Sequence, residues 1–345
     1  MNELIDLRSL HPGDLAALLT ELGQPSYRAK QVFRWLSRGV SSFEEMSDLP
    51  KDLRASLAER CTLSLPEVLQ KQESRDGTVK YLFGLSDGNS IESVLMRYEY
   101  GDSICLSTQA GCRMGCAFCA SYDPEKSRNL SAGEILEQIL SVQKDSGRTV
   151  SHVVLMGTGE PLDNYDSVLT FLRLLTHPDG LNLSMRHVSL STCGLVPRIR
   201  ELAKLKLQLT LSISLHAPTN AIRDRLMPVN KKYPLEVLIP ACRAYFQETG
   251  RRISFEYAMI DGVNDSMECA DQLASLLRGM PAHVNLIPLN AVERSPLRPS
   301  SRETIRRFQN RLAGRNINAT VRRSLGGDIS AACGQLRRQR NEGQI

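Results

Sequence analysis

The sequence predicts an α/β protein, a barrel or partial barrel of about six strand–helix units that follows a helical N-terminal region. From about residue 100 onward, strand-like and helix-like segments alternate, which is typical of a parallel sheet. Residues 1–75 show apolar spacing compatible with helices, interrupted by Pro25, Pro50 and Pro66. The 345 residues are 41% hydrophobic and 23% charged, which suits a soluble globular protein and excludes a disordered chain.

The predicted elements follow in order along the chain. Residues 1–75 form a helical accessory domain, residues 76–99 a connecting β-hairpin, residues 100–325 the barrel core and residues 326–345 a C-terminal segment with a basic tail. The predicted core strands are residues 104–108, 152–156, 186–192, 207–215, 253–260, 283–289 and 318–322. The predicted helices between most of them are residues 132–145, 165–175, 197–204, 234–249, 266–278 and 301–312.

One predicted strand indicates that the barrel interior is polar. In residues 207–215, leucine or isoleucine at every second position alternates with a polar residue. A parallel strand that is covered on both faces is normally a continuous apolar run. The alternation therefore predicts that one face packs on helices, while the other lines a cavity for a ligand.

The sequence does not indicate a membrane-bound or secreted protein. No apolar run approaches the roughly 18 residues that a membrane helix needs, and residues 1–6 lack the features of a signal peptide. The nine cysteines do not suit a disulfide framework, because their number is odd and three of them lie within eight residues. We expect a cytosolic protein that uses cysteine for metal or redox chemistry.

Arginine is concentrated near the C-terminus. Residues 302–345 hold ten arginines and three acidic residues, a net charge of +7 in a chain whose total is +5. Because guanidinium pairs bidentately with phosphate, this segment favours a polyanionic partner. A solvated helix face over residues 302–315 explains the same pattern equally well.

Three cysteines lie close together directly after a predicted strand, in the C-x3-C-x2-C segment formed by Cys112, Cys116 and Cys119. This loop should lie at the carboxyl end of the strand, where the active sites of parallel barrels are found. Three thiolates can hold three irons of a [4Fe–4S] cluster and leave the fourth for an external ligand. A structural zinc site would also need four ligands, and the sequence offers no second Cys or His pair at a suitable distance.

This cysteine loop resembles the radical S-adenosylmethionine (SAM) superfamily. Further segments resemble the RlmN/Cfr family of RNA methyltransferases, and the resemblance covers nearly the whole chain. These segments are residues 27–31, residues 91–94, Cys105, and residues 156–162, 191–194, 214–216, 288–290 and 328–336. The resemblance implies a radical SAM partial (β/α)6 barrel with a helical N-terminal domain.

The resemblance also implies two cofactors. The ligands of one [4Fe–4S] cluster would be Cys112, Cys116 and Cys119. The cluster's open iron would bind SAM and cleave it to a 5′-deoxyadenosyl radical. The implied SAM-binding residues are Gly159, Glu160, Ser191, Ser214, Leu215, His216 and Asn290.

Three further residues have implied catalytic roles. Cys333 would take a methyl group from one SAM, and a second SAM would supply the radical that activates this methyl group. Cys105 would release the product by forming a disulfide with Cys333, which a cellular reductant must reverse. Glu92 matches the family's proposed proton acceptor.

The implied substrates are RNAs. The reaction would be methylation of carbon 2 of one adenosine in 23S rRNA and of one in the tRNA anticodon loop. Carbon 2 lies between two ring nitrogens and is electron-poor, so it cannot attack SAM as a nucleophile and requires a radical. Methylation at carbon 8 of the same rRNA adenosine is the close alternative, although Pro161 favours carbon 2.

A more distant alternative is a non-enzymatic iron–sulfur or zinc protein that only binds RNA, which leaves Cys105 and Cys333 unexplained. In the enzyme, the helical N-terminal region and the arginine-rich C-terminus would contact RNA phosphates, which position the RNA without selecting a base. We also expect a cellular electron donor as a partner. Because the sequence contains no coiled coil or extra dimerisation domain, we expect a monomer.

Overall fold

Strands and helices alternate through most of the chain, after a short helical N-terminal region. The computed structural model describes residues 4–290, 295–329, 334, 336, 337 and 340. The helices are α1 (Pro12–Glu21), α2 (Arg28–Ser37), α3 (Lys51–Arg60), α4 (Ala132–Ser146), α5 (Tyr165–Thr176), α6 (Val196–Lys204), α7 (Asn220–Leu226), α8 (Leu235–Thr249), α9 (Met267–Leu277) and α10 (Arg302–Ala313). The strands are β1 (Ile5–Asp6), β2 (Cys61–Thr62), β3 (Glu67–Glu73), β4 (Val79–Gly84), β5 (Ser90–Tyr98), β6 (Gly101–Cys105), β7 (Gln109–Ala110), β8 (Arg128–Asn129), β9 (Val150–Leu155), β10 (Val188–Thr192), β11 (Thr210–Ser214), β12 (Ile253–Met259), β13 (Ala282–Pro288) and β14 (Ala319–Val321).

Within the described residues, ten strands form one sheet in the order β14-β13-β12-β11-β10-β9-β6-β5-β4-β3. The strands from β6 and β9 to β14 pair in parallel, whereas β3, β4, β5 and β6 pair antiparallel. A helix follows each of β6 and β9 to β13 before the next parallel strand begins. This arrangement confirms the predicted partial (β/α)6 barrel and extends it at one edge by antiparallel strands.

Local signals determine where the barrel helices begin and end. α4 begins with a capping box, in which the Ser131 hydroxyl accepts from the Glu134 main-chain N–H at 3.1 Å and the Glu134 carboxylate accepts from the Ser131 N–H at 2.9 Å. It ends at Gly147, whose φ of 66° lies in the left-handed region. Ser266 and Ser301 cap α9 and α10 through their side chains. Because such signals are local, the predicted bounds of these helices differ from the observed bounds by one residue at most.

A buried arginine fixes the N-terminal helices to the barrel. Arg8 pairs with Glu137 of α4 and donates to three main-chain carbonyl groups, those of Leu36, Val40 and Leu63. Burial lowers the pKa of Arg8 to about 10, so the guanidinium remains charged at neutral pH. A charge in the interior is tolerated because a carboxylate and several carbonyl oxygens surround it.

The structure differs from the sequence prediction between the N-terminal helices and the barrel. The sequence predicts a helical domain up to residue 75, whereas Glu67–Glu73 is strand β3. It follows Pro66, and its backbone groups are satisfied by antiparallel pairing with β4. The antiparallel extension therefore has three strands, since β4 also pairs with β5 around the turn at Asp87 and Gly88.

Three barrel strands differ in their bounds from the prediction: β6 is displaced toward the N-terminus, and β10 and β11 are shorter than predicted. β6 ends at Cys105 and β11 covers Thr210–Ser214, while the predicted strands are residues 104–108 and 207–215. Beyond β6 the chain remains bonded to its neighbours, because the Leu106 N–H donates to the Val154 carbonyl at 3.0 Å. The predicted strand at residues 186–192 begins only at Val188, after a 3₁₀ turn.

An apolar core fills the space between the sheet and the helices. Leu190, Leu211 and Ile213 are fully buried in it, and they alternate along their strands with Ser191 and Ser214, which line a cavity inside the sheet. The polar face predicted from the sequence thus faces the barrel interior. Among the helices of the described segments, none combines the length and the apolar character that crossing a bilayer requires.

Candidate active site

A cavity of about 280 Å³ opens where the parallel strands end. This volume is close to the roughly 300 Å³ at which small-molecule sites begin. Nine of the residues predicted to bind the cluster or SAM line it, namely Cys112, Cys116, Cys119, Gly159, Glu160, Ser191, Ser214, His216 and Asn290. The structure therefore brings together residues from five separate segments of the sequence.

The three predicted metal ligands lie on one loop after β6. The Cys119 main-chain N–H donates to the Cys116 carbonyl at 3.1 Å, and the Asp123 N–H donates to the Cys112 carbonyl at 3.0 Å. Gly115 has a φ of 70°, which glycine adopts readily because it has no Cβ. This conformation forms the turn between Cys112 and Cys116. These contacts fold the loop back on itself at the cavity wall.

The chemistry of this loop suits an iron–sulfur cluster. Burial raises the pKa of Cys112 to about 12 and also raises that of Cys116, to which the neighbouring thiols contribute. A bound metal would offset the cost of forming these thiolates, with release of protons. Within the described part of the chain, no three His, Cys, Asp or Glu side chains converge to hold a single metal ion. Three cysteines of one loop line the cavity, and a cubane cluster takes each cysteine on a different iron, so this donor set fits a cluster.

Gly159 allows two loops to lie directly against each other. Its φ is 113°, and a Cβ at this position would lie 2.7 Å from the Cβ of Gln109 and 2.8 Å from its nitrogen. The Gln109 side-chain oxygen accepts from the Glu160 main-chain N–H at 2.8 Å. This close approach brings Glu160 to the cavity wall.

Main-chain donors fix the orientation of the Glu160 carboxylate. It accepts from the Leu162 N–H at 3.0 Å and from the Cys193 N–H at 2.7 Å. Burial raises the pKa of Glu160, and these hydrogen bonds partly oppose that rise. Cys193 itself lines the cavity, beside the predicted SAM residues.

His216 is held as a neutral side chain with one defined hydrogen-bonding state. Its Nδ1 accepts from the Ala258 main-chain N–H at 2.9 Å, and burial lowers its pKa to about 3. Because Nδ1 is an acceptor, the ring proton resides on Nε2. The Phe118 ring packs edge-on at 4.8 Å between centroids. His216 can therefore act toward the cavity as a hydrogen-bond donor but not as a cation.

The remaining predicted SAM residues divide into two groups. The hydroxyl oxygens of Ser191 and Ser214 lie 3.3 Å apart at the ends of β10 and β11, and Asn290 lines the same cavity after β13. Leu215 does not line the cavity, because its side chain is fully buried in the main core. Its main-chain N–H donates to the Glu256 carbonyl at 3.1 Å. The sequence suggests Leu215 through a motif, whereas strand alternation turns its side chain away from the cavity.

Two of the three predicted catalytic residues, Glu92 and Cys105, lie on β5 and β6, which pair antiparallel. Cys105 ends β6 and is paired with Val94 of β5. It packs with Met96 and Met156, and Met156 also lines the cavity. Cys333 lies outside the described residues.

Glu92, on β5, contacts the segment that follows Cys333 in the sequence. Its carboxylate accepts from the Gly334 main-chain N–H at 2.6 Å and from the Arg337 N–H at 2.8 Å. The fully buried Lys80 ammonium lies 3.0 Å from the same carboxylate. The structure thus joins Glu92 to the C-terminal segment.

Known proteins share both the fold and the length of this chain. A model of the radical SAM superfamily matches residues 106–273, and one of the ribosomal RNA large subunit methyltransferase N-terminal domain matches residues 5–63. The probable dual-specificity RNA methyltransferase RlmN of Desulforamulus reducens is 52% identical over 98% of this chain and 97% of its own length. Its counterpart in Pelotomaculum thermopropionicum is 53% identical over 98% and 93%. A radical SAM methyltransferase from Sphaerobacter thermophilus has a crystal structure that matches with a TM-score of 0.92 at 45% identity, covering 96% of this chain and 98% of that chain.

The chain belongs to the RlmN family of radical SAM RNA methyltransferases. Radical SAM enzymes of this family use one [4Fe–4S] cluster, bound by three cysteines, together with SAM. The cysteine loop fits the [4Fe–4S] cluster, and the cavity beside it fits SAM. The N-terminal model ends just after β2, and β3 belongs to the main sheet.

The RlmN-family site also contains a carboxylate that sequence reasoning missed. Glu256 of β12 lines the cavity and is buried, which raises its pKa. It accepts from the Asn285 side-chain amide at 2.8 Å and from the Ser254 hydroxyl at 3.1 Å. The signal in the sequence is weak, because it consists of a single acidic residue in a largely apolar strand.

Arg223 is a second residue that the sequence did not reveal. It is fully buried next to the cavity, and burial lowers its pKa. Its guanidinium donates to the Cys193 carbonyl at 2.7 Å, to the Leu215 carbonyl at 3.1 Å and to the Asn230 side-chain oxygen at 2.9 Å. Arg223 therefore joins the ends of β10 and β11, where four predicted SAM residues lie.

Proposed function

We propose that this protein methylates carbon 2 of one adenosine in 23S rRNA and of one in the tRNA anticodon loop, with Cys333 as the methyl carrier. The relatives named as dual-specificity RNA methyltransferases support two RNA substrates. The observation that carries the proposal is the 2.6 Å hydrogen bond from the Gly334 N–H to Glu92. It joins the proposed proton acceptor to the residue directly after the proposed methyl carrier.

The cavity residues would bind the two cofactors. The cluster would be held by Cys112, Cys116 and Cys119. SAM would be oriented by two hydrogen-bonding side chains, with Glu160 as acceptor and the neutral His216 as donor. When bound, the cluster and SAM supply a carbon radical that can remove hydrogen from an unactivated C–H bond.

Two cysteines outside the loop would complete the methyl transfer. Cys333 would first accept a methyl group from one SAM by polar displacement, and a second SAM would be used as the radical source. After the S-methyl group has lost one hydrogen to the radical and its carbon has joined carbon 2 of adenine, the Cys105 thiolate would bond to the Cys333 sulfur and break the bond between that sulfur and the carbon. One electron would leave the adduct for an acceptor such as the oxidised cluster, the hydrogen of carbon 2 would leave as a proton, and a proton added to the transferred carbon would complete the methyl group. A cellular thiol reductant would then restore both thiols.

Glu92 would accept the proton that leaves carbon 2. A carboxylate offers roughly four acceptor positions, and among the described residues Lys80, Gly334 and Arg337 occupy three of them on Glu92. The fourth, on Oε1, is the position that a substrate proton would use. The buried Lys80 ammonium offsets the cost of keeping this carboxylate in the interior.

RNA would reach the cavity from the side of the basic segment. Arg322 lines the cavity and is exposed, which suits a phosphate contact beside the site. The target adenosine would be unstacked to enter, as in other enzymes that act on a base. In the N-terminal domain, Lys30 and Arg34 also pair with Asp179 of the barrel at 3.1 and 3.4 Å, so their role in RNA binding would be shared with domain docking.

The test is an anaerobic reaction of reconstituted protein with SAM, a reductant and unmodified 23S rRNA or tRNA. Nucleoside mass spectrometry against 2-methyladenosine and 8-methyladenosine standards identifies the product. We expect 2-methyladenosine from both RNAs, and none with the variant Cys333→Ala. Cys269→Ala, which changes a buried cysteine of α9 that does not line the cavity, is the matched control and should retain the product.

Each other result has a defined meaning. 8-Methyladenosine alone would assign carbon 8 instead of carbon 2. Formation of 5′-deoxyadenosine without either methyladenosine would support the radical chemistry but refute the proposed RNA substrates. Full activity of Cys333→Ala would refute the methyl-carrier role.

A further inference from the structure

We propose that Asp123 and Arg337 form a positioning pair that fixes the C-terminal segment against the cysteine loop. The importance of this position rests on the proposed function, in which Cys333 carries the methyl group. The pair itself rests on contacts among described residues. Its role would be to set the place from which Cys333 acts relative to the cofactor cavity.

Arg337 binds two parts of the fold at once. Its guanidinium Nη2 donates to the Asp123 carboxylate at 2.9 Å, and only 6% of its side chain is exposed. Its main-chain N–H donates to Glu92 Oε1 at 2.8 Å. One buried residue therefore joins the C-terminal segment both to β5 and to the loop that follows the three cysteines.

Asp123 is itself fixed to the cysteine loop. Its N–H donates to the Cys112 carbonyl at 3.0 Å, and its second carboxylate oxygen accepts from the Lys126 N–H at 3.1 Å. The carboxylate consequently has a defined orientation before it meets Arg337. Movement of the cysteine loop would be transmitted to Arg337, and movement of Arg337 to the loop.

Gly334 makes direct contact with the same loop. Its φ is 77°, and a Cβ there would lie 2.9 Å from the carbonyl carbon of Ala120, the residue after Cys119. The main chain next to Cys333 is thus packed against the chain next to a proposed cluster ligand. Arg337, three residues further on, would keep the main chain at Gly334 in this position by its bonds to Glu92 and Asp123.

The charges of this arrangement balance. Lys80 and Arg337 are positive, Glu92 and Asp123 are negative, and three of the four are almost fully buried. Removing one member leaves a buried charge without its partner, which is more costly than the net value of the pair. Lysine at position 337 would keep the charge but lose the planar geometry that suits a carboxylate.

The first test measures the segment itself, in full-length protein without cofactors. Hydrogen exchange followed by mass spectrometry should show uptake in peptides that cover residues 334–340 to be faster, by about tenfold, in Arg337→Met and in Asp123→Asn. Arg337→Lys should give an intermediate rate. The matched control is Arg148→Met, which removes a partly buried arginine–aspartate pair with Asp102 where β6 and β9 begin, and it should leave these peptides unchanged.

The second test measures coupling in the reconstituted enzyme. Arg337→Met should raise the number of deoxyadenosine molecules formed per methylated adenosine by about tenfold, with iron content equal to that of the wild type. A merely structural role would instead reduce iron content or thermal stability without changing this ratio. Unchanged exchange in both variants, or an unchanged ratio, would overturn the proposal. If the wild type methylates no RNA, the proposed function fails, and the exchange experiment still decides whether the pair holds the segment.

Discussion

The parallel strands β6 and β9–β13 and the antiparallel strands β3–β5 lie in one sheet but satisfy their buried polar groups differently. On the parallel side, main-chain groups do most of this: Glu160 accepts from two N–H groups, His216 accepts from one, and Arg223 donates to carbonyls. On the antiparallel side, Glu92 also accepts from two main-chain N–H groups, but it pairs in addition with the ammonium of Lys80. The first arrangement is built from neighbouring strand ends and suits a preformed cofactor cavity, whereas the second combines an ion pair between neighbouring strands with main-chain donors from the distant C-terminal segment.

The largest effect is expected on the parallel side. Cys116→Ala should abolish iron–sulfur cluster binding and deoxyadenosine formation, because only three cysteines are available on the loop as ligands. Iron analysis, visible absorption and deoxyadenosine assays measure this loss. Cys193→Ala is the matched control, because Cys193 is buried and lines the same cavity but lies on another loop. Loss of iron in Cys193→Ala with iron retained in Cys116→Ala would reverse the proposed ligand assignment.

A smaller effect is expected on the antiparallel side, where stability should respond to the balance of charge. Glu92→Gln leaves the fully buried Lys80 without its carboxylate, so the free energy of unfolding should fall by about 3–5 kcal/mol. Denaturant unfolding measures the change. The double variant Lys80→Met/Glu92→Gln should lose less than Glu92→Gln alone, because no unpaired charge remains. Equal losses in the two proteins would show that the ion pair does not account for the effect.

The two sides also differ in how much of them the sequence predicts. The cavity residues are recognisable because Cys112, Gly159 and Ser191 lie in short motifs at strand ends, and parallel strands bring their carboxyl ends together. The contact between Glu92 and Gly334 joins residues 242 positions apart, and nothing local in either segment indicates it. Strand β3 also could not be predicted from the sequence, because its mostly polar, exposed residues are compatible with a surface helix as well as with an edge strand. Leu215 shows the opposite limit, because a motif does not specify which way a side chain points.

A pH-dependent effect of about 2 kcal/mol is expected from His216 on the parallel side. Its folded-state pKa of about 3 lies below the usual 6.5, with burial as the main cause and the Arg223 cation as the second. The unfolded chain therefore binds a proton at a higher pH than the folded protein does. The free energy of unfolding is thus unaffected by His216 above pH 6.5 and decreases as the pH falls from 6.5 toward 3. At pH 5, the loss should be about 2 kcal/mol.

The variant His216→Asn isolates this term. Asparagine can accept from the Ala258 N–H and tolerates the φ of 55° at this position, but it does not titrate. Unfolding free energies at pH 8 give the packing cost of the substitution. The additional fall between pH 8 and pH 5 should be smaller in the variant than in the wild type by about 2 kcal/mol. Parallel pH curves would show that His216 becomes protonated in the folded protein.

The smallest effect is expected at the rim of the cavity, where Arg322 follows β14 at the parallel edge of the sheet and is exposed. If Arg322 contacts one RNA phosphate, Arg322→Ala should weaken binding similarly for all RNA sequences and reduce the slope of log affinity against log salt by about 1. Filter binding or anisotropy over a range of salt concentrations measures the slope. Arg311→Ala is the matched control, because Arg311 on α10 already pairs with Asp271 at 2.6 Å and should change the slope less. A larger change for Arg311 would move the RNA path from the cavity rim to α10, and with it the side of the sheet from which the adenosine arrives.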